Sequence, residues 1–125
     1  MAGSRIVQAE LPIRPSHSGF PSQEIVSERC GSAATYLGQQ WVPPGHGVRL
    51  HTHTMEKTLI FLTGEGEAQL DDQTVPVSAG VTIFIPAGTS HGFRCTGTES
   101  LHLMLIFPSN QFAPPHWLDQ TEPPG

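Results

Sequence analysis

The chain has 125 residues and a formal net charge of −5, from six basic against eleven acidic side chains. That length suits one domain with one core, and without a basic patch or Lys/Arg run the electrostatic footprint of a nucleic-acid binder is missing. Thirteen glycines and twelve prolines, beside only 14% charged residues, favour short strands joined by turns and predict an all-β fold.

From Met1 to Ser22 the sequence mixes Pro12, Pro15, Gly19 and Pro21 with apolar residues that follow no period. Residues 1–22 read as an N-terminal arm, able either to cover a sheet edge or to pair with a second subunit. The region is too short in apolar residues for a signal-peptide core, and no segment approaches a membrane span. A cytoplasmic location is therefore expected, with Cys30 and Cys95 as free thiols.

Two β-rich runs, Glu24–Cys30 and Ala34–Val42, flank Gly31-Ser32 and end at the breaker Pro43-Pro44-Gly45. Further strands are expected at Thr58–Leu62, Glu65–Leu70, Gln73–Val77 after an Asp71-Asp72 turn, Val81–Ile85 and His91–Cys95. Leu101–Phe107 is a nearly continuous apolar run stopped by Pro108, which predicts a core strand buried on both faces. These elements bound a domain over residues 23–112. The tail, residues 113–125, carries four prolines, with Trp117 and Leu118 as its candidate anchors.

Histidine supplies the candidate chemistry. In His51-Thr52-His53 the two imidazoles, two residues apart, project to one face of a strand about 7 Å apart along the chain, a workable chelate. Gly45, His51-x-His53, position 57 and Gly64 are separated by five, three and six residues, and Gly80, Pro86-x-Gly88 and His91 by five and two. In these segments the chain resembles the two conserved motifs of the cupin superfamily, with a short gap between them similar to that of small single-domain members. The resemblance implies a double-stranded β-helix, the jelly roll of two packed antiparallel sheets, and a metal held by His51, His53 and His91. Gly64, Gly80, Gly88 and Pro86 read as residues that shape the barrel.

The chain departs from the cupin pattern at Lys57, where the first motif has a carboxylate, and at Cys95, where the second ends in Asn. Three readings of the first departure stay open. The three histidines hold the metal alone; or a bulge turns Glu56 inward as a fourth ligand; or no metal binds, and a desolvated Lys57 acts as a base or Schiff-base amine. The bland alternative is a solvent-facing Lys57. Cys95 is expected to face the interior as a small core filler. His17, His46, His102 and His116 show no ligand spacing.

The resemblance thus implies a metal-dependent enzyme acting on a small oxygen-bearing substrate in a pocket lined by Leu59, Phe61, Ile83 or Ile85, and Phe93. The preferred reading is a three-histidine dioxygenase-like enzyme with Fe(II), with Zn, Mn or Ni as other candidates. A non-redox isomerase, cyclase or lyase and a non-catalytic binding protein are the alternatives. Glu56 is a candidate ligand or base and Lys57 a candidate clamp on an anionic intermediate. A homodimer is expected.

Overall fold

The computed structural model describes residues 3–118. Apart from two single-turn 3₁₀ helices, Gln8–Glu10 and Glu28–Cys30, its regular structure is all β. The strands are β1 (Arg14–Pro15), β2 (Pro21–Val26), β3 (Tyr36–Val42), β4 (Gly47–Thr52), β5 (Lys57–Thr63), β6 (Glu65–Leu70), β7 (Gln73–Ser78), β8 (Thr82–Ile85), β9 (His91–Cys95), β10 (Leu101–Phe107) and β11 (His116–Trp117). They form two antiparallel sheets, a six-stranded one in the order β1-β2-β3-β10-β5-β8 and a five-stranded one in the order β11-β4-β9-β6-β7. This is the jelly roll that the motifs imply.

The core follows from the period of two along each strand. Leu101, Leu103, Leu105 and Phe107 of β10, Leu59 and Phe61 of β5, and Ile83 and Ile85 of β8 point inward from one sheet; Phe93 and Cys95 of β9, Ala68 of β6 and Val77 of β7 meet them from the other. The same parity carries two polar side chains inside. Lys57 stands two residues before Leu59, and His91 two before Phe93, so each occupies a core position of its strand.

The structure revises several sequence expectations. Residues 28–30 leave the predicted Glu24–Cys30 strand because the Ser27 side chain accepts from Arg29 N and Gly31, at φ 97°, closes the turn. Leu101–Phe107 has the predicted bounds, but its residues alternate buried and half-buried, so only one face is in the core. Within residues 1–22, β1 pairs with the start of β2. Gln23 Nε2 donates to the Gln8 and Leu11 carbonyls at 3.1 Å each, so the arm lies along the edge of its own sheet. In the tail, β11 pairs with β4 and half-buries Trp117, while Leu118 is exposed; residues 119–125 lie outside the described part. The two cysteines are free, Cys30 exposed and Cys95 buried in the core as expected of a filler. No helix among the described residues is long and apolar enough to cross a membrane.

Candidate metal centre

His51 is the penultimate residue of β4, His53 lies just past the end of that strand, and His91 opens β9, so two neighbouring strands of the five-stranded sheet position all three. A bulge in β4 brings them together. Val48 faces Phe93 and His51 faces His91, leaving Arg49 and Leu50 opposite the single residue Gly92. Regular pairing would place His51 one residue out of line with His91. Gly92 permits the bulge, because a Cβ there would stand 2.6 Å from the Val48 carbonyl oxygen.

The three imidazoles are buried, and one ring nitrogen from each lies within 4.8 Å of the others. The His51 and His91 ring centroids are 4.2 Å apart, and those of His51 and His53 4.8 Å. His51 Nδ1 donates to the Arg49 carbonyl at 2.7 Å and His91 Nδ1 to the Thr89 carbonyl at 2.9 Å. A carbonyl only accepts, so these contacts fix the Nδ1–H tautomer and leave both Nε2 lone pairs to face inward, the arrangement a metal-ligating histidine uses. His53 differs. Its Nδ1 is buried without a well-formed hydrogen bond, and the nearby Pro114 carbonyl only opposes the downward shift of its pKa. Burial first, and the Lys57 charge second, push the pKa of His51 to about 2, of His53 to about 3 and of His91 to about 4. Neutral imidazoles are a donor set that fits a divalent ion.

Lys57 enters this cluster from the opposite sheet. Its Nζ lies 3.4 Å from His53 Nε2 and 3.3 Å from His91 Nε2, with the Phe107 ring 5.6 Å away. At 4% exposure it is far from the solvent-facing lysine of the bland reading, and desolvation lowers its pKa to about 7. Glu56, in contrast, is exposed on the loop between β4 and β5 and is not brought into the cluster.

The space beside the histidines is small, about 20 Å³, and is bordered by Val48, Phe93, Phe112, Pro115 and Trp117 as well as by Lys57. Of the predicted lining residues only Phe93 borders it; Leu59, Phe61, Ile83 and Ile85 are spent in the core between the sheets. Sequence reasoning missed Phe112 and Trp117 as residues bordering this space: the Trp117 ring lies 5.1 Å from His51 with the Arg49 guanidinium 4.7 Å over it. Their signal was present only as aromatic residues in a proline-rich stretch.

The fold and the three-histidine cluster define a small jelly-roll protein with a buried site able to hold a metal. A profile described as the cupin domain matches residues 39–107, more than half of the chain, and the chain belongs to that family. It is 35% identical over 76 residues to the dimethylsulfoniopropionate lyase DddW of Ruegeria pomeroyi, covering 61% of this chain and 49% of the lyase. It is 36% identical over 69 residues to a gentisate 1,2-dioxygenase of a Ralstonia species, covering 54% of this chain and 19% of the dioxygenase. The chain therefore spans at most about half the length of these two relatives. Among solved structures, the polyketide cyclase RemF of Streptomyces resistomycificus superposes with a TM-score of 0.84 at 20% identity, over 98% of this chain and 89% of that one. At that identity the likeness concerns the fold.

Proposed function

We propose that this chain is a metal-dependent enzyme in which His51, His53 and His91 hold one divalent ion, Fe(II) first among the candidates, and which carries out dioxygenase-like chemistry on a substrate that binds through oxygen atoms. The observation that carries this reading is the site itself: three neutral, buried imidazoles converge where, among the described residues, no acidic side chain lines the space beside them. A divalent ion held by three neutral ligands keeps its full charge and open coordination positions, and with them the ability to bind and polarise oxygen donors; Fe(II) adds redox chemistry with O₂.

The chain's own residues do the rest. The Arg49 and Thr89 carbonyls orient two of the imidazoles. Phe93, Phe112 and Trp117 keep bulk water out, which strengthens every charge interaction inside. Lys57 Nζ, on the inner side of the cluster, is placed to stabilise negative charge that develops on a substrate oxygen or carbon. The dioxygenase relative supports oxygen chemistry at such a site. A second reading, a non-redox lyase, isomerase or cyclase using Zn, Mn or Ni, is favoured by the lyase relative and by Lys57, a buried amine suited to steadying an enolate.

Elemental analysis of the purified protein, paired with O₂ consumption after anaerobic Fe(II) loading against a panel of diketones, thiols and phenols, tests the proposal. Near-stoichiometric iron with substrate-dependent O₂ uptake is the expected result. Tight binding of zinc, nickel or manganese without O₂ uptake would move the assignment to the second reading. Failure of every ion to bind would overturn both and leave Lys57 chemistry or a non-catalytic binding protein.

A further inference from the structure

The space beside the histidines adjoins a much larger cavity. The larger one, about 490 Å³, lies between the N-terminal arm and the β2–β3 edge of the six-stranded sheet. Four residues border both spaces: Ser16 and His17 at the turn between β1 and β2, Gln40 on the inner face of β3, and Phe112. The His17 and Phe112 rings lie 4.9 Å apart at this junction, and Phe112 packs edge-on against Tyr36 at 5.4 Å. The turn that carries His17 is well held. Ser16 N donates to the Phe20 carbonyl, Ser16 Oγ accepts from Ser18 N and Phe20 N, and Gly19 takes φ 86°.

Size decides what each space can take. About 20 Å³ holds little more than one water-sized group, so beside the histidines there is room for donor atoms and not for a whole organic molecule. A cavity of 490 Å³ lies within the range that houses a drug-sized ligand. Most of its surface is apolar, contributed by side chains such as Leu11, Ile25, Tyr36 and Leu105. The 330 Å³ groove on the five-stranded sheet also reaches Val48 and Phe93, but Glu67 and Arg94 make it a charged, exposed surface.

We propose that the cavity under the N-terminal arm holds the body of the substrate, a largely apolar molecule of drug size, while an oxygen-bearing end passes His17 and Phe112 to reach the metal. The inference rests on the metal reading above and names the substrate class for that site. The arm is then a wall of the substrate site: Gln23, hydrogen-bonded to the Gln8 and Leu11 carbonyls, holds Leu11 over the cavity.

The test compares two hydroxamates, identical as metal chelators and different in apolar length, on the cobalt(II)-loaded full chain, read by the cobalt visible bands. Octanohydroxamate is expected to bind at least 30-fold tighter than acetohydroxamate. Leu11→Trp, which fills the cavity from the half-exposed arm without touching the core, is expected to cut that advantage below 3-fold while leaving acetohydroxamate binding unchanged. Ser22→Trp, on β2 and lining the same cavity, should do the same and guards against a folding defect particular to one variant. A cobalt response to acetohydroxamate with no gain from the longer chain, or with a gain that both tryptophan variants retain, would overturn this inference alone. No cobalt response to either hydroxamate would overturn the metal reading and the inference with it.

Discussion

Lys57 shows how much one residue can be read from strand parity. It stands at i−2 from Leu59 and i−4 from Phe61, so once Thr58–Leu62 is taken as a strand with those residues inward, Lys57 must be inward as well. The general exposure of lysines argues the other way, and here it loses, because a strand cannot turn one side chain out without a bulge. An ammonium 3.3 and 3.4 Å from two of the candidate ligand atoms opposes a divalent cation both by charge and by occupying the ligand lone pairs. Lys57→Met is therefore expected to bind zinc at least tenfold tighter than the parent, measured by competition with a chelator. Without metal it should unfold with about 2 kcal/mol more stability, because a desolvated cation is removed. Unchanged zinc affinity would mean that Lys57 swings clear of the ion at no cost. Tyr36, beside the arm cavity, gives a pH signature instead. Burial chiefly, with the Glu24 charge adding, raises its phenol from 10.0 to about 12. The unfolded chain ionises above pH 10 while the folded one keeps its proton, so native stability falls between pH 10 and 12, by about 2 to 3 kcal/mol in all. In Tyr36→Phe denaturant midpoints should lose that component of the alkaline decline, and an identical slope in both proteins would count against it.

At the scale of elements, the bulge in β4 and the short strand β11 set the site, and neither was written in the pattern of apolar residues. The glycine and histidine spacings exposed the barrel and its three imidazoles, and Pro108 gave the end of β10 correctly. A bulge, however, depends on how two strands meet, and His91-Gly92-Phe93 looks like any strand start until β4 is laid against it. Gly92→Ala tests this device: its methyl would collide with the Val48 carbonyl, so β4 must shift and carry His51 with it. The expected result is a loss of about 2 kcal/mol in stability together with at least tenfold weaker zinc binding, whereas loss of stability alone would separate the bulge from the site. β11 has only two residues, and its hold on β4 rests on Trp117 between His51 and Arg49. A two-residue strand opens cheaply. Trp117→Ala should release bound zinc to excess chelator about tenfold faster with little change in the melting temperature of the metal-free protein; an unchanged release rate would show that the ion escapes by another route.

For the whole molecule, the positions of the ligands determine what a metal does to folding. His51 and His53 belong to β4 and its exit, His91 to β9; the two strands pair regularly at Gly47–Arg94 and Val48–Phe93 and reach the His51–His91 pair through the bulge. An ion held by all three ties the bulged end of this pairing, and an unfolded chain, whose ligands are 2 and 38 residues apart from one another along the sequence, does not present them together. Metal binding is thus confined almost wholly to the native state and must stabilise it by mass action, by about 2.7 kcal/mol when free metal stands at 100 times its dissociation constant. For a domain of this size that corresponds to a rise of roughly 10 °C in melting temperature. The rise should grow with the logarithm of free zinc and vanish in His91→Ala, which keeps His51 and His53 and loses the one that ties them to β9. Lys57→Met should show a larger rise than the parent at the same free zinc, because its dissociation constant is smaller. A rise of equal size in His91→Ala would assign the stabilisation to His51 and His53 alone, and the ion would then not join the two strands.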